Sequence, residues 1–151
     1  MEKERLSLLK ASIEAQGTEI ERILDKIEDR RYRKGEANLE SLAYQLHNLY
    51  CAFEDLLKIV ADFFENHIEE SAQYHRALLW RMKMPIDGVR PAFLSKESYK
   101  LLDSLRAFRH VFRHAYSYEL DAKKVSLVVE DVLKLKELYQ EEIDRFLEQL
   151  T

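Results

Sequence analysis

Apolar residues recur in this chain in steps of three and four, the period of an amphipathic helix. Leu6, Leu9, Ile13, Ile20, Ile23 and Ile27 form a first stripe, with Gln16 in its one polar slot. The stripe runs into a charged stretch, Glu28-Asp29-Arg30-Arg31-Tyr32-Arg33-Lys34, and breaks at Gly35. Leu39, Leu42, Leu46, Leu49, Phe53, Leu56, Val60 and Phe63 then keep the rhythm without a miss, with Asn38 placed to cap this second helix. Tyr50, Leu57, Ile59 and Phe64 widen the seam beyond that of a two-stranded coiled coil, so the helix is expected to pack on more than one neighbour.

Three further helices follow. A short one begins at Ser71, carries Ala77, Leu78 and Trp80, and stops at Met84-Pro85, because proline removes a donor and constrains the residue before it. The stretch from Pro85 to Pro91 holds both prolines and one of the three glycines, and is the one long loop expected. Ser95 caps a fourth helix with Tyr99, Leu101, Leu102, Leu105, Phe108 and Phe112, whose pattern is lost at Tyr116-Ser117-Tyr118. Asp121 caps a fifth, with Val125, Val128, Val132, Leu135, Tyr139 and Phe146 on one face and Glu/Lys pairs opposite. The expectation is an all-α fold: one domain over residues 1–151, built as an antiparallel bundle of four long helices and one short helix.

Composition narrows the chemistry. Apolar residues make up 46% of the 151, too many for a disordered chain, and the length supports a core without disulfides or metal. Lys+Arg 24 against Asp+Glu 28 gives a net charge of −4, so any phosphate site must be local. The lone Cys51 fits a reducing compartment. Met1-Glu2-Lys3-Glu4-Arg5 does not open a secretory signal, and no apolar run approaches the roughly 18 residues of a membrane span. A cytoplasmic protein with no membrane partner is therefore expected.

One segment departs from the background of solvated helix faces. From Ser104 to Tyr118 the chain reads SLRAFRHVFRHAYSY, three arginines and two histidines with no acid between Asp103 and Glu119. On a helix Arg106, Arg109 or His110, and Arg113 share a face, and His110 and His114 stack one turn apart. Cations near a helix C-terminus are favourable in themselves, which is the purely structural account of the ridge. Paired histidines beside arginines add a group that exchanges protons near neutrality, next to guanidinium forks that match phosphate. His110 and His114 also make half of a metal site, but the HExxH pattern requires Glu where Val111 stands, so neither metal nor cofactor is expected. His47, His67 and His75 read as exposed histidines on polar helix faces.

Arg109-His110-Val111-Phe112-Arg113-His114-Ala115-Tyr116 resembles the Arg-x4-His signature of the HEPN superfamily, in the Arg-x4-His-x-Tyr form of HepT-like toxins. The polar residue after the arginine, here His110, and the place of the motif late in the penultimate long helix are similar too. The resemblance implies a metal-independent endoribonuclease, the toxin of a type VII-like prokaryotic toxin-antitoxin pair. Its antitoxin would be a minimal, MntA-like nucleotidyltransferase. Arg109 and His114 would be catalytic, with His110, Arg106 and Arg113 as possible supports. Tyr116 would accept AMP from the antitoxin, with Tyr118 a rival acceptor.

Positions five apart on a helix lie about 140° apart around its axis, so Arg109 and His114 do not stack. Either the long arginine stem closes the gap, or the helix ends between them, or two copies of the motif face each other. The last is the arrangement the resemblance implies, a homodimer with one shared cleft for RNA. HEPN-like folds also serve as non-catalytic interaction or regulatory modules, the alternative for this chain. The RNA target is not written in a ridge that contacts phosphates.

Overall fold

The computed structural model describes residues 2–65, 74–114 and 120–151. Five helices follow in order: α1 (Lys3–Arg30), α2 (Glu36–Phe64), α3 (Tyr74–Met82), α4 (Lys96–Arg113) and α5 (Ala122–Leu150). This is the all-α architecture expected of a HEPN-like fold. The Ser71 start expected for the third helix lies outside the described residues.

Cross-links between helices give their relative directions. Arg30 bonds Ser41, Gln16 bonds the carbonyl of Ala52, and Arg5 lies over the ring of Phe63, so α1 and α2 run antiparallel. The polar slot in the first stripe is thus filled by an amide that satisfies a part-buried contact, with Gln16 Nε2 donating at 2.8 Å. Ser98 bonding Glu142, and Ser104 bonding Asp131, set α4 antiparallel to α5. His47 against Phe112, with Tyr50 against Arg109, sets α4 antiparallel to α2. Further along α2, Phe53 meets Tyr139 and Phe64 meets Phe146, so α2 and α5 run in the same direction.

The core is the sum of the stripes. Ile13, Ile20 and Ile27 of α1, Leu46, Leu49 and Val60 of α2, Leu102 and Leu105 of α4, and Val132 and Leu135 of α5 are all buried. On α5 Val129 is buried beside Val125 and Val132, while Val128, expected on that face, is only partly covered, and Ile143 joins the face below Tyr139. The α2 seam is correct in every position, though Leu39 and Phe63 at its ends are only partly covered.

The caps follow the sequence with one correction. Ser95 Oγ accepts the Ser98 N–H at 3.1 Å, and Asp121 Oδ1 accepts the Lys123 N–H at 2.9 Å. Asn38 does not cap α2. Gly35 does, at φ 105, a conformation that favours glycine, and Asn38 sits one turn inside the helix. The Asn38 amide instead donates to the carbonyls of Arg30 and Arg33, both at 2.9 Å, and so closes the open end of α1. At the other end of the bundle the amides of Phe93 and Leu94 close on the carbonyl of Met82, ending α3.

Among the described residues no helix is long and apolar enough to cross a membrane.

Candidate active site on the α4 terminus

The Arg/His ridge lies on the last three turns of α4, and the helix stops within it. Arg113 is the last helical residue, and His114 leaves the helix at φ −110, its amide closing on the carbonyl of Val111 at 3.1 Å. Of the three ways to reconcile Arg109 with His114, termination of the helix is the one visible within a single chain. It does not by itself join the two groups. Among the described residues, no hydrogen bond or ring contact connects the Arg109 guanidinium to the His114 imidazole.

Each member of the ridge has its own surroundings. Arg106 is half-buried and bonds Asp103 through Nε at 2.9 Å, so a neighbouring carboxylate already answers its charge. Arg109 turns inward to α2, its guanidinium carbon 5.9 Å from the centre of the Tyr50 ring. Its Nε is buried with no hydrogen-bond partner among the described residues. A buried donor left unmade costs about 1–3 kcal/mol, so an acceptor brought here would recover part of that cost. His110 and His114 are both exposed, with ring centres 4.9 Å apart and planes inclined at 64°. Arg113 is exposed. Tyr116 and Tyr118 lie outside the described residues.

His47 on α2 joins this group, contrary to the expectation of an exposed histidine. Its ring meets Phe112 edge-on at 5.7 Å, its Nε2 is 3.9 Å from Cys51 Sγ, and its Nδ1 is buried without a partner among the described residues. Burial, with the positive charges of Arg109 and Arg113, pushes its pKa below the usual histidine value. A neutral imidazole therefore stands beside the Arg109 guanidinium. His75 also differs from expectation, since its Nδ1 meets Glu54 Oε2 at 2.5 Å. The exposed reading of His67 falls outside the described residues. Beside the Arg109 guanidinium, burial first and then Glu54 push the Tyr50 phenol well above its usual range, so it stays protonated.

The sequence did contain a signal for His47. On a helix whose seam is fully apolar, His47, Tyr50 and Glu54 follow steps of three and four along its flank, a polar stripe beside the core. Cys51, remote from the ridge in sequence, is one turn from His47 in space. Among the described residues no group of His, Cys, Asp and Glu is arranged to hold a metal.

Residues 41–150 match the family model described as HepT-like protein. The chain belongs to this HepT-like family of the HEPN superfamily. No curated protein and no solved structure matches the sequence. The HepT-like match takes in α2 from Ser41 onward together with α3, α4 and α5, and so includes His47, Tyr50, Arg109 and His114. Helix α1 and the basic turn after it precede the matched stretch.

Proposed function

We propose that this HepT-like protein is a metal-independent endoribonuclease and the toxin of a toxin-antitoxin pair, held silent by an MntA-like nucleotidyltransferase that adds AMP to Tyr116. The observation that carries the reading is the acid-free end of α4. There two exposed imidazoles touch each other, one next to and one just over a turn beyond a guanidinium whose buried Nε has no partner among the described residues.

The chemistry needs little more than those groups. RNA carries its own nucleophile, the 2′-hydroxyl. A base removes its proton, O2′ bonds to the adjacent phosphorus, and the P–O5′ bond breaks. An acid then delivers a proton to the leaving 5′-oxygen, leaving a 2′,3′-cyclic phosphate and a 5′-hydroxyl. His114 serves as base or acid, and Arg109 stabilises the charge gathered on the phosphorane oxygens. The second proton-transfer group is His114 of a second copy in a homodimer, or His110 of the same chain. Arg113 holds phosphate, while Arg106 is engaged with Asp103 and contributes less.

The competing reading, a non-catalytic helical module, draws on the separation of Arg109 and His114 within one chain. Purified protein incubated with RNA in EDTA decides between them. Cleavage that persists in EDTA and disappears in His114→Ala, with the helical circular dichroism and oligomeric state unchanged, upholds the nuclease. No cleavage by the unmodified wild type, or undiminished cleavage by His114→Ala, overturns it.

A further inference from the structure

An open cleft of about 1220 Å³ lies between the α1–α2 turn, the last turn of α4 and the first turns of α5. Arg31, Tyr32, Arg33 and Lys34 line one wall, and Phe112 and Arg113 the other. We propose that this cleft is a groove for single-stranded RNA, holding the strand to one side of the phosphate addressed by Arg109 and His114. The identity of the ligand rests on the nuclease reading; the groove itself rests on three features of the structure.

The first is charge. Arg33 is engaged with Asp29 at 2.9 Å, but among the described residues no carboxylate pairs with Arg31, Lys34 or Arg113. Glu36, Glu40 and Glu130 also line the cleft, so four cations and three carboxylates face it in a chain whose total charge is −4. The second is an aromatic platform. Tyr32 is 78% exposed, and the Arg31 guanidinium lies 4.5 Å from its ring centre, holding the ring on one face and leaving the other to a base. Cations that track a backbone, interleaved with an aromatic for stacking, are the chemistry of single-strand binding. An acidic polypeptide would use the cations but has no need of the ring.

The third feature is continuity. Arg113 lines the cleft and directly precedes His114, so a strand leaving the groove along α4 passes the two imidazoles. The cleft thus extends the active site, and its far wall comes from the turn that precedes the family match.

The test measures binding apart from cleavage. Fluorescence anisotropy of labelled single-stranded RNA is recorded at several salt concentrations, with His114→Ala as the parent protein. A phosphate contact on a single strand contributes about 0.7 to the slope of log K against log salt, or about fivefold in affinity at 0.1 M. Adding Arg31→Gln and Lys34→Gln is expected to weaken binding about 25-fold at 0.1 M salt and to flatten the slope by about 1.4. Adding Tyr32→Ala instead is expected to weaken binding roughly five- to a hundredfold with the slope unchanged.

Parental affinity and slope in both variants would overturn the groove, as would loss of an acidic protein partner with RNA binding intact. RNA bound by the parent and lost in the variants, but never cut by wild type, would leave the groove standing and remove the nuclease. RNA cut by wild type and bound equally by all variants would do the reverse. No RNA binding by the parent would remove the groove.

Discussion

The Arg109 guanidinium lies 5.9 Å from the centre of the Tyr50 ring on the facing helix, with its Nε buried and unpartnered among the described residues. A cation held against an aromatic face keeps its charge, and a donor without an acceptor keeps its capacity to bond. The arrangement suits an anion that arrives later better than it suits a settled core.

Replacement of Arg109 is therefore expected to separate activity from stability. Loss of one charged donor to a developing oxyanion costs about 10²- to 10³-fold in rate. Arg109→Gln should slow single-turnover RNA cleavage by that order, while its melting temperature stays within a few degrees of wild type. Lys should restore little, because a point charge does not reproduce the planar fork. A variant that melts much earlier and cleaves normally would assign Arg109 to packing alone.

His47 predicts a pH dependence whose sign can be worked out. Burial, Arg109 and Arg113 lower its pKa in the folded protein, whereas the unfolded chain titrates near 6.5. Above 6.5 both states hold a neutral ring and nothing is lost. As the pH falls through 6.5 toward the lowered folded value, the unfolded chain takes up a proton that the folded one refuses, and stability declines. Thermal melts from pH 8 to pH 5 should show a steeper decline in wild type than in His47→Gln. Tyr44, Cys51 and Phe112 contact or neighbour the ring, and among the described residues Arg109 and Arg113 carry charge toward it, so Arg109→Gln should raise the His47 pKa read by NMR titration. Parallel melting curves, or an unmoved pKa, would refute the coupling.

The parts of the fold legible in the sequence are those set by local periodicity. Leu46, Leu49 and Val60 repeat with the helix and are buried, and Ser95 and Asp121 act on amides two or three residues away. Errors arose where a partner distant in sequence decides the outcome. Asn38 has the right chemistry for an N-cap, but glycine at φ 105 lets the helix start earlier and frees the amide for the end of α1. His47 looks solvated along its own helix until α4 covers it with Phe112 and Arg109. For the same reason the motif residues were legible as a ridge, while the inward turn of Arg109 depends on Tyr50, which lies on another helix.

Tyr116 bears the regulatory half of the proposal. If AMP on its phenol oxygen blocks RNA from the α4 terminus, Tyr116→Phe removes the acceptor and leaves the ring. The variant should stay toxic when co-expressed with the nucleotidyltransferase, and should gain no AMP mass on incubation with that enzyme and ATP. Silencing of Tyr116→Phe together with relief in Tyr118→Phe would move the acceptor two residues on.

A buried guanidinium frames the approach to the start of α4. The Arg90 side chain is fully buried, and that of Glu65 is 4% exposed. Arg90 Nε donates to Glu65 Oε1 at 3.0 Å, and Nη2 bonds the same carboxylate oxygen. The remaining N–H groups reach the carbonyls of Met84 at 2.9 Å, Pro91 at 3.0 Å and Arg81 at 3.1 Å. One guanidinium thus fastens the end of α2, the end of α3 and the loop leading into α4. Removing it leaves the buried carboxylate with the more distant Arg81, 3.6 Å from Oε2, as its counter-charge and three carbonyls short of a donor, a loss of about 3–5 kcal/mol. In a chain of this size that lowers the melting temperature by about 10 °C. Replacing both partners with apolar residues removes the stranded charge, so Arg90→Met with Glu65→Leu should melt above Arg90→Met alone. A double variant that melts no higher than the single one would show that the carbonyl contacts, and not the ion pair, hold this end of the bundle together.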